Sequence, residues 1–435
     1  MRIEDTSETS MIIHNPEDFG VDSYRLERLN ELMASYVDEG KLAGTLTVLS
    51  RRGSIVHAKA TGMANVEASV PMEMENIFRI YSMTKPITTV AAMILLERGL
   101  FHLNTPVSEF FPAFKRMGVF SAGTVDDYTT VKAEREMTVA DLMKHTSGLT
   151  YAFLASNVVD DLYKKNNIDF VGNSMGDKEA VLKTVAEQPL VFSPGSAWNY
   201  SISTDVLGCV IEQITGQSLG EFLRKEIFEP LHMEDTDFHV PESKLSRVAS
   251  MYGSHLAGNM IPGFKGMPVG KKMKRLNDPD NPTEARVPTL QSGGGGLYST
   301  AMDYMKFLHM LLNKGRVGRH CILSPKTIDY MTCNHLPTTM AEFLPKNLDI
   351  TPRVQEGIAK PGYGFGLGFA VRVDNIQAQN IGSLGEYYWG GAASTAFFVD
   401  PHEQLSFVLM TQLLPSSTYP IRNEITRAIY QSLVE

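Results

Sequence analysis

Arg79-Ile80-Tyr81-Ser82-Met83-Thr84-Lys85-Pro86 runs straight into Ile87-Thr88-Thr89-Val90-Ala91-Ala92-Met93-Ile94-Leu95-Leu96-Glu97-Arg98-Gly99, an apolar segment of helical length with a glycine stop. A helix apolar on nearly every side belongs in a core. Pro86 has no N–H and is tolerated only in a first turn, so the helix is expected to start close to Ser82. Ser82 and Lys85 stand three apart, on one helix face, which brings a hydroxyl within reach of an amine. The hydroxyl then lies where unpaired amides and the positive end of the helix dipole suit a developing oxyanion. Ser-x-x-Lys also arises by chance roughly once or twice in a chain of this length, and a solvated first-turn lysine is the structural alternative for Lys85. The place at the head of a buried helix favours nucleophile and base.

The chain has 435 residues, 43% of them apolar, and a formal charge of −9. Such a length supports a large core and two or three structural units. The acidic balance argues against nucleic acid or an anionic membrane as partner. No apolar run reaches the 18 or so residues of a membrane span. The opening Met1 to Ser10 is polar and acidic, unlike a secretory signal. Cys209, Cys321 and Cys333 are few, odd in number and not at metal-ligand spacing. The expected location is cytoplasmic, with no metal and no cofactor.

Upstream, residues 22 to 39 read as an amphipathic helix, and 43 to 49 with 54 to 58 as a hairpin turning at Arg51-Arg52-Gly53. Downstream of residue 100 the chain reads as mainly helical with long loops. In the loop from 251 to 290, Phe264 and the methionines are pocket-lining candidates, while Lys271-Lys272-Met273-Lys274-Arg275 reads as a solvated face. Ser292-Gly293-Gly294-Gly295-Gly296 lets the backbone pass close to a neighbour, and lacks the lysine of a phosphate loop. From 362 on, Tyr363 to Val373, Gln377 to Gly382, Ala393 to Val399 and Leu405 to Thr411 read as antiparallel strands, closed by a helix from Ile421 to Leu433. The predicted division is an α/β unit from 1–100 and 355–435, and a helical unit from 101–354.

Other residues compete for the chemistry. His145 is a possible general base, but a hydrogen-bonded structural histidine fits its turn better. Gly172-Asn173-Ser174-Met175-Gly176 matches G-x-S-x-G, with a short β-like run, Ile168 to Val171, before it and a helical pattern, Asp177 to Glu187, after it; the motif also requires βα units feeding a parallel sheet, and the hairpin and helices upstream do not supply them. Tyr200 follows the Phe192-Ser193-Pro194-Gly195 turn and precedes a helix ending at Gly216, a place from which a phenol reaches a cleft or lies flat on a core. Tyr387-Tyr388-Trp389-Gly390-Gly391-Ala392 stands before a strand, and its glycines permit close backbone approach, an amide facing Ser82 or an ordinary hairpin turn.

Ser82-Met83-Thr84-Lys85, Tyr200 and Trp389-Gly390-Gly391, in this order, together with His145-Thr146-Ser147-Gly148-Leu149, Phe192-Ser193-Pro194-Gly195 and Gly293-Gly294-Gly295-Gly296-Leu297, resemble the class C β-lactamase and penicillin-recognising serine hydrolases, closest to the family VIII carboxylesterases. The resemblance spans nearly the whole chain. It implies an α+β fold, an antiparallel sheet flanked by helices beside a helical domain, with the active site in the groove between. It further implies Ser82 as nucleophile, Lys85 and Tyr200 as proton relay, the amides of Ser82 and Ala392 as oxyanion hole, and Trp389, Gly390 and Gly391 as substrate contacts. An unperturbed lysine near pKa 10.4 is a poor base at neutral pH, and which of Lys85 and Tyr200 rests deprotonated stays open. Two departures bear on substrate: Trp389 replaces a lysine-led third motif, and Ile202 stands where an asparagine is usual. Both favour neutral, apolar small-molecule esters over β-lactams. The alternatives are a β-lactamase or D-Ala-D-Ala peptidase, an acyltransferase using the same acyl-enzyme, or a non-catalytic binding protein.

Overall fold

The computed structural model describes residues 12–259, 266–267, 270–277, 282–346 and 358–435. Phe264 lies outside them. Eight strands form the main antiparallel sheet: β1 (Gly44–Arg51), β2 (Ser54–Asn65), β3 (Val70–Pro71), β4 (Tyr363–Phe365), β5 (Ala370–Arg372), β6 (Tyr387–Gly390), β7 (Ala396–Asp400) and β8 (Leu405–Met410). Their spatial order is β4-β5-β6-β7-β8-β1-β2-β3. β1 and β8, from opposite ends of the chain, pair in the middle with Val48 opposite Val408.

Every residue of β1 is buried, because the sheet is covered on both faces. On one face Leu49, Val56, Phe398 and Phe407 meet α1 (Ser23–Asp38) and the C-terminal helix (Ile421–Tyr430). Leu26, Leu29, Met33 and Tyr36 supply the stripe of α1 expected from its periodicity, and Asp22 caps its start by accepting from the Arg25 N–H. The other face, with Leu46, Val48 and Phe397, belongs to the larger core that includes α2 (Thr84–Glu97) and the helix Ala301–Leu312. In α2 every residue from Thr84 to Leu95 is buried. Truncating one of its large side chains to alanine costs about 2–5 kcal/mol.

Tyr387–Gly390 is itself a strand and not a turn before one, and the chain departs from expectation at three further places. Gln377 to Gly382 is not a strand: Asp374 accepts from the Ile376 and Gln377 N–H groups and caps one helical turn, Asn375–Ala378. Tyr363 to Val373 is two short strands, since Gly366-Leu367-Gly368 turns the chain, with Gly368 at φ 89°. The middle of the chain also holds an unpredicted hairpin, Gly118–Gly123 with Tyr128–Lys132, whose residues are mostly exposed and so lack a buried-face alternation.

Candidate active site

Ser82 sits in a single 3-10 turn, Tyr81–Met83, that feeds α2, slightly upstream of the expected α-helical first turn. Tyr81 has a φ of 44°, a left-handed conformation that turns the chain sharply before Ser82. Pro86 is the third residue of α2, where its missing N–H costs nothing. The i, i+3 spacing survives: Lys85 Nζ stands 3.4 Å from Ser82 Oγ.

Tyr200 arrives from far along the chain and donates to Ser82 Oγ at 2.7 Å. Its loop is laced to the His145–Thr150 segment. The Asn199 N–H donates to the His145 carbonyl at 3.0 Å, Asn199 Nδ2 reaches Leu149 O at 3.2 Å, and the Ser147 and Ser203 hydroxyls meet at 2.7 Å. His145 bonds through Nδ1 to Ser201 Oγ at 3.1 Å, and its ring lies 5.0 Å from that of Tyr200. Burial first, and then the Lys85 charge, push its pKa well below the ordinary imidazole value, so it is a neutral prop for the tyrosine. Ser174 does not join the hydrogen bonds that link Ser82, Lys85 and Tyr200. Residues 169–176 are turns with no strand before them, and the Ser174 carbonyl is engaged by the Leu290 N–H at 2.9 Å.

Three oxygens surround Lys85 Nζ: Ser82 Oγ, Tyr151 Oη at 2.9 Å and the Gly294 carbonyl at 2.7 Å. Tyr151 in turn donates to Asp205 Oδ2 at 3.2 Å, and Asp205 Oδ1 accepts from Ser292 Oγ at 2.5 Å and Gly294 N at 3.0 Å. Burial raises the Asp205 pKa, against the opposing pull of Lys85 and these donors. Tyr151 is raised well above a free phenol by burial and then by Asp205, so it stays protonated and bridges the two. The glycine run fits this packing: a Cβ on Gly294 would lie 2.4 Å from Asp205 Oδ2. Sequence reasoning missed Tyr151 and Asp205; the only hint was an acid in the first turn of an otherwise apolar helix, Ser203–Thr215.

Trp389, Gly390 and Gly391 close the other side. The Trp389 ring is 5.4 Å from Tyr200 and 5.3 Å from Phe365, an aromatic wall with no cation of its own. A Cβ on Gly391 would lie 2.4 Å from the carbonyl of Ile80, so the end of β6 is seated against the turn that carries Ser82. Beyond it, no main-chain carbonyl among the described residues accepts from the Ala392 N–H. A hydroxyl with two proton-transfer partners, beside a strand edge that offers an amide, is suited to acyl transfer.

Residues 29–431 match the family described as Beta-lactamase. Esterase EstB of Burkholderia gladioli is 31% identical over 406 residues, covering 91% of this chain and 93% of its own. Lovastatin esterase of Penicillium rubens is 28% identical over 382 residues, with 85% and 88% covered. Among solved structures, EstCE1, described as a hydrolase with promiscuous acyltransferase activity, superposes with a TM-score of 0.74 at 25% identity, covering 94% of this chain and 99% of that one. The chain belongs to the beta-lactamase family, as a family VIII esterase-like serine hydrolase.

Proposed function

We propose that this protein is a serine carboxylesterase that hydrolyses short to medium acyl esters through an acyl-enzyme on Ser82. The observation that carries the reading is the meeting of Ser82 Oγ with Tyr200 Oη at 2.7 Å and Lys85 Nζ at 3.4 Å. Ser82 Oγ attacks the acyl carbonyl while its proton passes to the Lys85–Tyr200 pair. The amides of Ser82 and Ala392 receive the negative oxygen of the tetrahedral intermediate. Collapse expels the alcohol, which takes the proton, and leaves Ser82 acylated. Water then attacks the acyl-enzyme with Tyr200 as base, and serine is restored.

Substrate class follows from the wall. Trp389 is 5% exposed and carries no charge, so at that position an uncharged apolar ester is favoured over a substrate that needs a lysine for its carboxylate. The reading includes the division into 1–100 with 355–435 against 101–354. It also includes a cytoplasmic setting, which the unpaired state of Cys209, Cys321 and Cys333 supports. Among the described residues no helix is long and apolar enough to cross a membrane. Transfer of the acyl group to an alcohol is the second reading. It is favoured by the apolar rim at the same site, where Phe153 is 39% exposed and stacks on Tyr151 at 4.8 Å, a surface on which an acceptor could displace water.

The test is an aryl ester series of increasing acyl length beside one cephalosporin, on wild type and Ser82→Ala, with a fluorophosphonate label mapped by peptide mass. Loss of hydrolysis in the variant and label on Ser82 are expected. Retained hydrolysis, label on Ser174, or faster cephalosporin turnover would each overturn the reading. Adding a primary alcohol separates hydrolysis from transfer through the product ester.

A further inference from the structure

The peptide that presents the Ala392 N–H has a second end. Its carbonyl, Gly391 O, accepts from Arg422 Nη2 at 2.9 Å, and the same nitrogen donates to the Thr395 carbonyl at 2.8 Å. Arg422 stands in the first turn of the C-terminal helix, Ile421–Tyr430, far from Ser82 in sequence. Its Nε is buried without a partner, and among the described residues no carboxylate pairs with the guanidinium. Arg422 is only partly buried, yet its Nη2 is committed to two main-chain carbonyls and not to an acid, an arrangement that calls for a reason beyond charge pairing.

The neighbouring glycines record the path of this side chain. A Cβ on Gly390 would lie 2.4 Å from Arg422 Nη2, so the first glycine of Trp389-Gly390-Gly391 is the space through which the guanidinium reaches the turn. The Gly391 N–H is held by Thr395 O at 2.9 Å, and Gly391 O accepts also from the Ser394 N–H at 3.2 Å. The peptide between Gly391 and Ala392 is therefore clamped at its oxygen while its nitrogen points elsewhere. A donor on a peptide carbonyl draws electron density along the amide and strengthens its N–H as a donor, and a positive charge at that end adds to the effect in a low-dielectric site.

We infer that Arg422 is a positioning residue of the oxyanion hole, fixing and polarising the Gly391–Ala392 peptide so that its N–H meets the negative oxygen of the transition state. The inference rests on the reading of Ala392 as an oxyanion donor. Arg422 acts through that peptide and does not contact substrate.

The test compares wild type with Arg422→Ala and Arg422→Gln on a 4-nitrophenyl ester, with an alkylboronic acid as the tetrahedral analogue on Ser82. Because the amide acts in the transition state and not on bound ester, Arg422→Ala should lower kcat about tenfold to hundredfold, with KM little changed. Boronate affinity should fall by a similar factor. Added methylguanidinium should restore a good part of kcat, and methylammonium should not. Unchanged kcat and boronate affinity in folded Arg422→Ala would overturn the inference, as would a change confined to KM. If Arg422→Ala does not fold, Arg422→Gln decides: a several-fold loss of kcat at constant KM supports the role, and wild-type kcat refutes it. Failure of the underlying reading is seen separately, as absence of fluorophosphonate label on Ser82 in the wild type.

Discussion

Replacing Gly391 by alanine tests the proposed oxyanion amide of Ala392 with one methyl group. Gly391 does not have a left-handed φ, so alanine meets no backbone strain and the effect is steric. The new Cβ would lie 2.4 Å from Ile80 O and 2.2 Å from Thr395 Oγ1. The threonine side chain can rotate away, but the Ile80 carbonyl is main chain and accepts from the Met83 N–H at 3.1 Å. The end of β6 must then retreat by about 0.6–1 Å, a displacement that in a preorganised site costs on the order of a hundredfold in rate. Full loss of one oxyanion donor costs about 2.7–4 kcal/mol, or roughly 10²–10³ in kcat, and sets the upper limit. Acylation and deacylation both pass through a tetrahedral oxyanion, so both steps should slow. Initial rates on a 4-nitrophenyl ester give kcat and KM, and a thermal melt reports whether the fold is intact. A folded Gly391→Ala protein with kcat within about threefold of wild type would refute the placement of the amide.

Tyr151→Phe removes the hydroxyl between Lys85 and Asp205; a lost hydrogen bond to a charged group is worth about 1.5–3 kcal/mol, so kcat should fall about tenfold to hundredfold, and a fully active variant would show that the bridge is idle. Ser174→Ala should keep wild-type ester hydrolysis, checked by the same rates. Burial holds His57 and His309 at about 4, so the unfolded imidazoles, near 6.5, take up protons first as pH falls. Stability should therefore drop by about 2 kcal/mol for each on going from pH 7 to pH 5. Denaturant melts at the two pH values should show this loss, and the double variant His57→Gln/His309→Gln should flatten it; an equally steep profile would remove these histidines as the cause.

The place of Ser82 at the head of a buried helix was legible because its signals are local. Pro86 marks the first turn, and the run from Ile87 to Leu96 can only be a buried helix. Tyr200 was legible through resemblance, since nothing in Ser196 to Ser201 shows which way a phenol points. Tyr151 and Asp205 were not legible. Asp205 is buried and Tyr151 partly buried, and each is satisfied by partners distant in sequence, Ser292 and Gly294 for the first and Lys85 for the second, and no periodicity records such a pairing. Trp389-Gly390 could be taken for a turn because glycine is unfavourable within strands, yet Gly390 pairs with Ala396, and Arg422 fills the space beside it. The false strand from Gln377 to Gly382 failed for a simpler reason: one side chain, Asp374, closes a helical turn before the chain can extend.

The pairing of β1 with β8, Leu46 opposite Met410 through Arg51 opposite Leu405, carries a consequence for biogenesis. A growing polypeptide emerges with Leu46, Val48 and Leu49 waiting for a partner that is synthesised more than three hundred and fifty positions later. Until then the hairpin presents an apolar, hydrogen-bond-ready flank to every other nascent chain. Contacts of such long range slow refolding and expose intermediates to self-association. The protein should therefore recover poorly from denaturant at high concentration and better with a chaperone holding that flank.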